Sequence, residues 1–87
     1  MIPRLRPGVR IHRDRVRDRW VLLAPERVVE IDDQAHAILA RVDGTATVEV
    51  IAAALADEYE ADAAEITSDA AALLGDLNHK GYVAWLR

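Results

Sequence analysis

The sequence predicts an α+β fold with a winged-helix-like layout, a three-stranded antiparallel sheet followed by three helices. Three observations carry this. Apolar runs of β type occupy residues 9–31 and apolar stripes of helical period occupy residues 32–80, so strands and helices are segregated along the chain. A proline-bearing tetrapeptide, Ala24-Pro25-Glu26-Arg27, separates two of the β runs and suits a tight turn. The 87 residues make one domain's worth of chain, and with no cysteine the core must come from apolar packing alone.

The elements follow in order. Residues 9–13 (Val-Arg-Ile-His-Arg) alternate apolar and polar, as a half-buried strand does. Residues 14–19 are a charged connection, and residues 20–24 (Trp-Val-Leu-Leu-Ala) form a short apolar strand. After the Pro25 turn, residues 28–31 (Val-Val-Glu-Ile) make the third strand of a meander. Asp32 can cap a first helix with apolar positions Ala35, Ile38, Leu39 and Val42, which Asp43-Gly44 ends. Thr47 can cap a second, with the stripe Val48, Ile51, Ala52, Leu55 and Tyr59. Asp62 and Glu65 have the spacing of a capping box and open a third helix, with Ile66, Ala70, Leu73, Leu74 and Leu77 on its apolar face. Gly81 stops that helix after Lys80, and Tyr82 to Leu86 form an extended tail that packs back. Helices two and three, joined by about three residues, make a helix-turn-helix pair beside a sheet.

Composition excludes several function classes. Without cysteine there is no thiol catalysis, iron–sulfur ligation or cysteine zinc site in this chain. No apolar run approaches the ~20 residues of a membrane helix, and Met1 to Arg10 lacks the apolar stretch of a signal peptide, so a soluble, cytoplasmic protein with no membrane partner is expected. His12, His36 and His79 fall on different elements, none with a second ligand at i+3 or i+4. The glycines Gly8, Gly44, Gly75 and Gly81 form no phosphate loop. No catalytic cluster, metal set or cofactor site emerges, and the chain reads as a non-enzyme.

The net charge of −4 is unevenly spread. Residues 1–30 hold eight basic groups against four acids, and residues 31–87 hold three against eleven. A winged-helix DNA-binding domain is the rival the layout invites, but its recognition helix would carry Glu65, Asp69, Asp76 and Lys80, the wrong balance for phosphates. No nucleic-acid partner is expected. A peptide partner fits better. If the third strand lies at the sheet edge, its unpaired N–H and C=O groups can accept an extended peptide as a new strand, with the Leu-rich third helix as the other wall. Val29 and Ile31 share one side of that strand and Val28 and Glu30 the other; the sequence leaves open which pair faces the helices. The same edge could instead pair two copies into a homodimer.

The stretch Trp20-Val-Leu-Leu-Ala-Pro-Glu-Arg-Val-Val-Glu-Ile-Asp32 resembles the signature of the PqqD family of pyrroloquinoline quinone (PQQ) biosynthesis. Pro3-Arg-Leu-Arg-Pro-Gly-Val-Arg-Ile11, Ala37-Ile-Leu39 with Asp43-Gly-Thr45, and the run from Val48 through Asp69, Leu73 and Leu77 to Lys80-Gly81 resemble its flanks. The Leu-Leu-Ala-Pro-Glu-Arg string is the specific part. The likeness covers nearly the whole chain and implies one peptide-recognition domain over 1–87. It further implies a non-catalytic chaperone that binds the ribosomal precursor peptide (PqqA) and presents it to the radical S-adenosylmethionine enzyme (PqqE), which cross-links a Glu and a Tyr of the precursor. The iron–sulfur clusters and S-adenosylmethionine would belong to that enzyme. The wider class shares the fold, so a recognition element for another ribosomally made, modified peptide is the alternative. The resemblance implies that the peptide adds beside the third strand, at Arg27, Val28, Val29, Glu30 and Ile31, against Asp69, Leu73 and Asp76 of the third helix. The basic surface of Arg4, Arg6, Arg10 and Arg13 is the expected dock for the enzyme.

Overall fold

Pro25 and Glu26 form a two-residue loop, and the strands on either side pair from its base. A computed structural model describes residues 1–86. It contains β1 (Ile2–Leu5), β2 (Arg10–Asp14), β3 (Arg19–Ala24), β4 (Arg27–Ile31), α1 (Asp33–Leu39), α2 (Val48–Tyr59), α3 (Ala63–His79) and β5 (Val83–Leu86). The three expected strands are β2, β3 and β4, antiparallel in that order, with β3 central. The α+β class is as the segregated pattern predicts.

One strand precedes the meander and one follows the helices. β1 and β5 pair antiparallel as a separate two-stranded sheet, Ile2 with Leu86 through Leu5 with Val83. Neither segment is long enough to be a stable strand by itself, and their pairing joins the two ends of the chain. α3 positions β5. Gly81 takes φ +89°, its N–H reaches the Asn78 carbonyl, and the Tyr82 N–H reaches the Leu77 carbonyl at 2.9 Å. This left-handed cap satisfies the end of the helix and reverses the chain. The Asn78 side-chain amide then donates to the Val83 carbonyl at 2.8 Å.

The expected N-caps are in place. Asp32 accepts from the Ala35 N–H at 2.7 Å and Thr47 from the Val50 N–H at 3.1 Å. Asp62 accepts from the Ala64 N–H rather than from Glu65, so α3 opens with an Asp cap and not with the capping box. α1 ends at Leu39, before Asp43-Gly44. The Asp43 carboxylate instead accepts from the Thr45 and Ala46 N–H groups, both at 2.9 Å, and Gly44 at φ +83° turns the loop. A short Asp side chain that binds nearby N–H groups competes with helix continuation, which is why the apolar period overran the true end. Val42 still packs on the core from the loop. Tyr59 departs from the expected stripe, being 61% exposed; Ala56 takes its place in the buried face of α2.

The core joins sheet to helices. Leu22 of β3 is fully buried against a cluster that includes Ile38 and Leu39 of α1, Ile51 and Leu55 of α2, and Leu74 and Leu77 of α3. Burying each such side chain contributes about 1.5–3 kcal/mol. Opposed residues in neighbouring strands share a face, so the partners Leu22↔Val29 and Trp20↔Ile31 put Val29 and Ile31 on the helix side. Val28 and Glu30 face away, and this settles the question the alternation left open.

Candidate peptide-binding groove

The β3–β4 register determines which backbone groups are free. A two-residue loop can be closed only by a hydrogen-bonded pair, here Ala24 with Arg27. Antiparallel pairs then alternate, so Leu22–Val29 and Trp20–Ile31 also exchange bonds with each other. The N–H and C=O groups of Val28 and Glu30 therefore point away from β3. β4 is an edge strand, and these four groups are open to an added strand.

Across from this edge lies α3. Residues 69, 72, 73, 76, 77 and 80 recur at i, i+3, i+4, i+7, i+8 and i+11, and form one stripe. Stripe and edge enclose a groove of about 460 Å³, floored by Ala35 and Ile38 of α1. Its apolar lining is Val29, Ile31, Ala35, Ile38, Ala72, Leu73 and Leu77; its charged lining is Asp32, Asp69, Asp76 and Lys80, with Glu30 at the rim, its side chain turned to the outer side of the sheet. The carboxylates are anchored. Glu30 accepts from the Arg19 guanidinium at 2.8 Å, Asp76 pairs with the Lys80 ammonium at 2.9 Å, and Asp69 accepts from the Gln34 amide at 3.3 Å.

Six of the eight residues expected at a peptide site line this groove: Val29, Glu30, Ile31, Asp69, Leu73 and Asp76. Arg27 and Val28 do not line it; both are exposed near the Pro25 turn, and Val28 enters the geometry only through its outward backbone. The sequence reading missed Asp32, Gln34, Ala35, Ile38, Ala72, Leu77 and Lys80. The α3 members were readable by extending the 3.6-residue period from Asp69. Those from α1 were not, because nothing local says that α1 floors the groove.

The four arginines expected at an enzyme dock are not gathered on one face. Arg10 and Arg13 are three apart on β2 and so project to opposite sides of the sheet. Arg13 is engaged, ion-paired with Asp18 and lying 5.1 Å over the Trp20 ring. Arg4, Arg6 and Arg10 carry no ion pair among the described residues.

The histidines have separate surroundings. His36 stacks on Trp20, with ring centroids 3.7 Å apart, while His12 and His79 are exposed. Among the described residues, no three His, Asp or Glu side chains are grouped to hold a metal. No described helix is long and apolar enough to cross a membrane. Two carboxyls are held below the usual carboxylate range. Asp14 is lowered chiefly by the Arg17 backbone N–H, and Asp43 chiefly by that of Ala46 with help from Thr45. Neither lines the groove.

Comparison with known proteins adds a family. Residues 19–83 match the model of coenzyme PQQ synthesis protein D (PqqD). The PqqA binding protein of Xanthomonas campestris pv. campestris (strain B100) is 54% identical over 78 residues, 90% of this chain and 85% of that protein. The solution structure of the PqqD part of Methylobacterium extorquens PqqCD superposes with a TM-score of 0.85 at 45% identity, over 97% of this chain and 89% of that one. That protein is described as a functional, stand-alone recognition element for ribosomally synthesized and post-translationally modified peptides. Lasso peptide synthetase B1, solved with its leader peptide, superposes at 0.80 with 25% identity, over 98% of this chain and all of that one.

Proposed function

The chain belongs to the PqqD family, and we propose that it binds the precursor peptide of PQQ biosynthesis, PqqA, as a strand added to β4. The observation that carries this is the free edge at Val28 and Glu30 facing the α3 stripe across an apolar groove. Backbone hydrogen bonds supply affinity in such an arrangement, and pockets for alternate side chains supply selectivity. The names of the relatives support the ligand: one is a PqqA binding protein, another a recognition element, and a third was solved with a leader peptide.

In this reading the protein is a non-catalytic presenter. It holds PqqA extended and raises its effective concentration at PqqE, the modifying enzyme that supplies the chemistry. Arg4, Arg6 and Arg10, free of ion pairs among the described residues, are the groups proposed to meet that enzyme, with Arg13 held back by Asp18 and Trp20.

An amide-resolved NMR titration with PqqA tests the groove. Saturable shifts centred on residues 28–31 and 69–80 support it. A folded sample that shows no shifts with PqqA, alone or with PqqE present, overturns it, and shifts with another modified peptide's leader would move the chain to the wider class. Reversing Arg4, Arg6 and Arg10 to Glu tests the dock: PqqE affinity should fall and PqqA affinity should hold.

A further inference from the structure

Resting on the groove as the precursor site, we infer that it selects a basic, alternating segment. Two apolar side chains at i and i+2 enter the groove, a Lys or Arg stands between or beside them, and Glu30, Asp69 and Asp76 set the preference. The register of an added strand leads to this. Residues opposite one another in adjacent strands share a face. Client side chains opposite Val29 and Ile31 therefore project into the groove towards Leu73. The client residue between them stands opposite Glu30, on the outer side of the sheet. Opposite charges in that relation are favourable and like charges are not. Arg19 holds one Glu30 oxygen, and the other is left for the client.

The α3 wall repeats the sign. Asp69 and Asp76 flank Leu73 at four residues before and three after, all on one face. Seven helical residues rise about 10.5 Å. Three residues of extended strand span about 10 Å. The two carboxylates thus bracket the length of client that covers residues 29–31. Gln34 and Lys80 hold them in place without exhausting their acceptor capacity. Asp32, Asp69 and Asp76 give the groove three carboxylates against the single cation Lys80, while Glu30 acts from the outer side beside Arg19. A basic client complements that field and is steered by it; an acidic client places like charges across a partly desolvated gap.

The test measures the affinity of the Xanthomonas campestris PqqA peptide for the wild type, for the triple variant Glu30→Gln/Asp69→Asn/Asp76→Asn, and for Lys80→Gln. The three acids are exposed, and thermal melts check that the variants remain folded. Each acid neutralised should weaken binding about two- to fivefold, and the triple variant roughly tenfold or more. Lys80→Gln should tighten binding, because it removes the opposing charge and releases Asp76. Raising salt should weaken the wild type more than the triple variant. Equal affinity of wild type and triple variant overturns the charge preference while leaving the groove in place. So does a change of the same sign in the triple variant and Lys80→Gln, which marks a structural role. No binding of PqqA by the wild type overturns the groove reading itself, and the preference falls with it.

Discussion

Two clefts flank α1 and share Gln34 and Ile38, yet they offer a ligand different things. One, of about 290 Å³, lies among α1, α2 and the start of α3, lined by Ala37, Leu55, Tyr59 and Ile66 beside Asp33. The other is the β4–α3 groove, larger and with five charged residues in its lining and at its rim. The first is the more apolar, and by that measure would be the default ligand site. Its walls are helical, however, so most of their backbone groups are already bonded within the helices and side chains must do most of the binding. The second has a sheet edge for one wall, which presents main-chain donors and acceptors at a fixed spacing. Backbone bonding, rather than apolar area, makes a cleft suited to an extended chain.

Both clefts rest on one core, and truncating that core breaks both. Leu22→Ala should cost about 2–5 kcal/mol in a denaturant melt, because Leu22 is fully buried between the sheet and the helices. The next effect separates the free edge from the paired one. Val29→Pro removes a donor from the β3–β4 ladder and should destabilise the fold by roughly 1–3 kcal/mol, the cost of the Leu22 carbonyl left unpaired. Val28→Pro removes an outward donor, the position where an edge strand tolerates proline, and should weaken PqqA binding about tenfold with a much smaller change in melting. Equal destabilisation by the two would contradict the assigned bonding. Tyr59→Ala sharpens the contrast between clefts, since it should leave PqqA affinity unchanged in the same titration.

Two smaller effects lie away from the groove. Glu60 ends α2 at φ 53°, and Glu60→Gly should raise stability by roughly 0.5–1 kcal/mol by relieving the left-handed strain, read as a higher melting midpoint. The Asp43 carboxyl is lowered in the fold from its ordinary value of 3.8, so its contribution is present above that value and lost as pH falls below it. Amide exchange at Thr45 and Ala46 should therefore speed up below about pH 4 in excess of its ordinary pH trend, and Asp43→Asn should remove that excess.

Features that depend on neighbours along the chain can be read from the amino-acid order. Period two in residues 9–13, the Pro25 turn, the caps Asp32, Thr47 and Asp62 and the stop at Gly81 each express a local preference, and each is seen in the fold. Where local rules competed, the reading slipped: Asp43 bound its own loop instead of extending α1, and Tyr59 stood clear of the core. Six groove residues were named through the family resemblance alone; the period of α3 gave its buried face and not its groove face. The rest depends on contacts between distant segments. The pairing of β1 with β5 joins residues some eighty positions apart, and no local pattern encodes such a partner. That α1 floors the groove, that Val29 and Ile31 turn inward and that Val28 and Glu30 keep free backbone groups follow from sheet order and register. Those are settled only when the helices bury one face of the sheet and leave β4 at its edge.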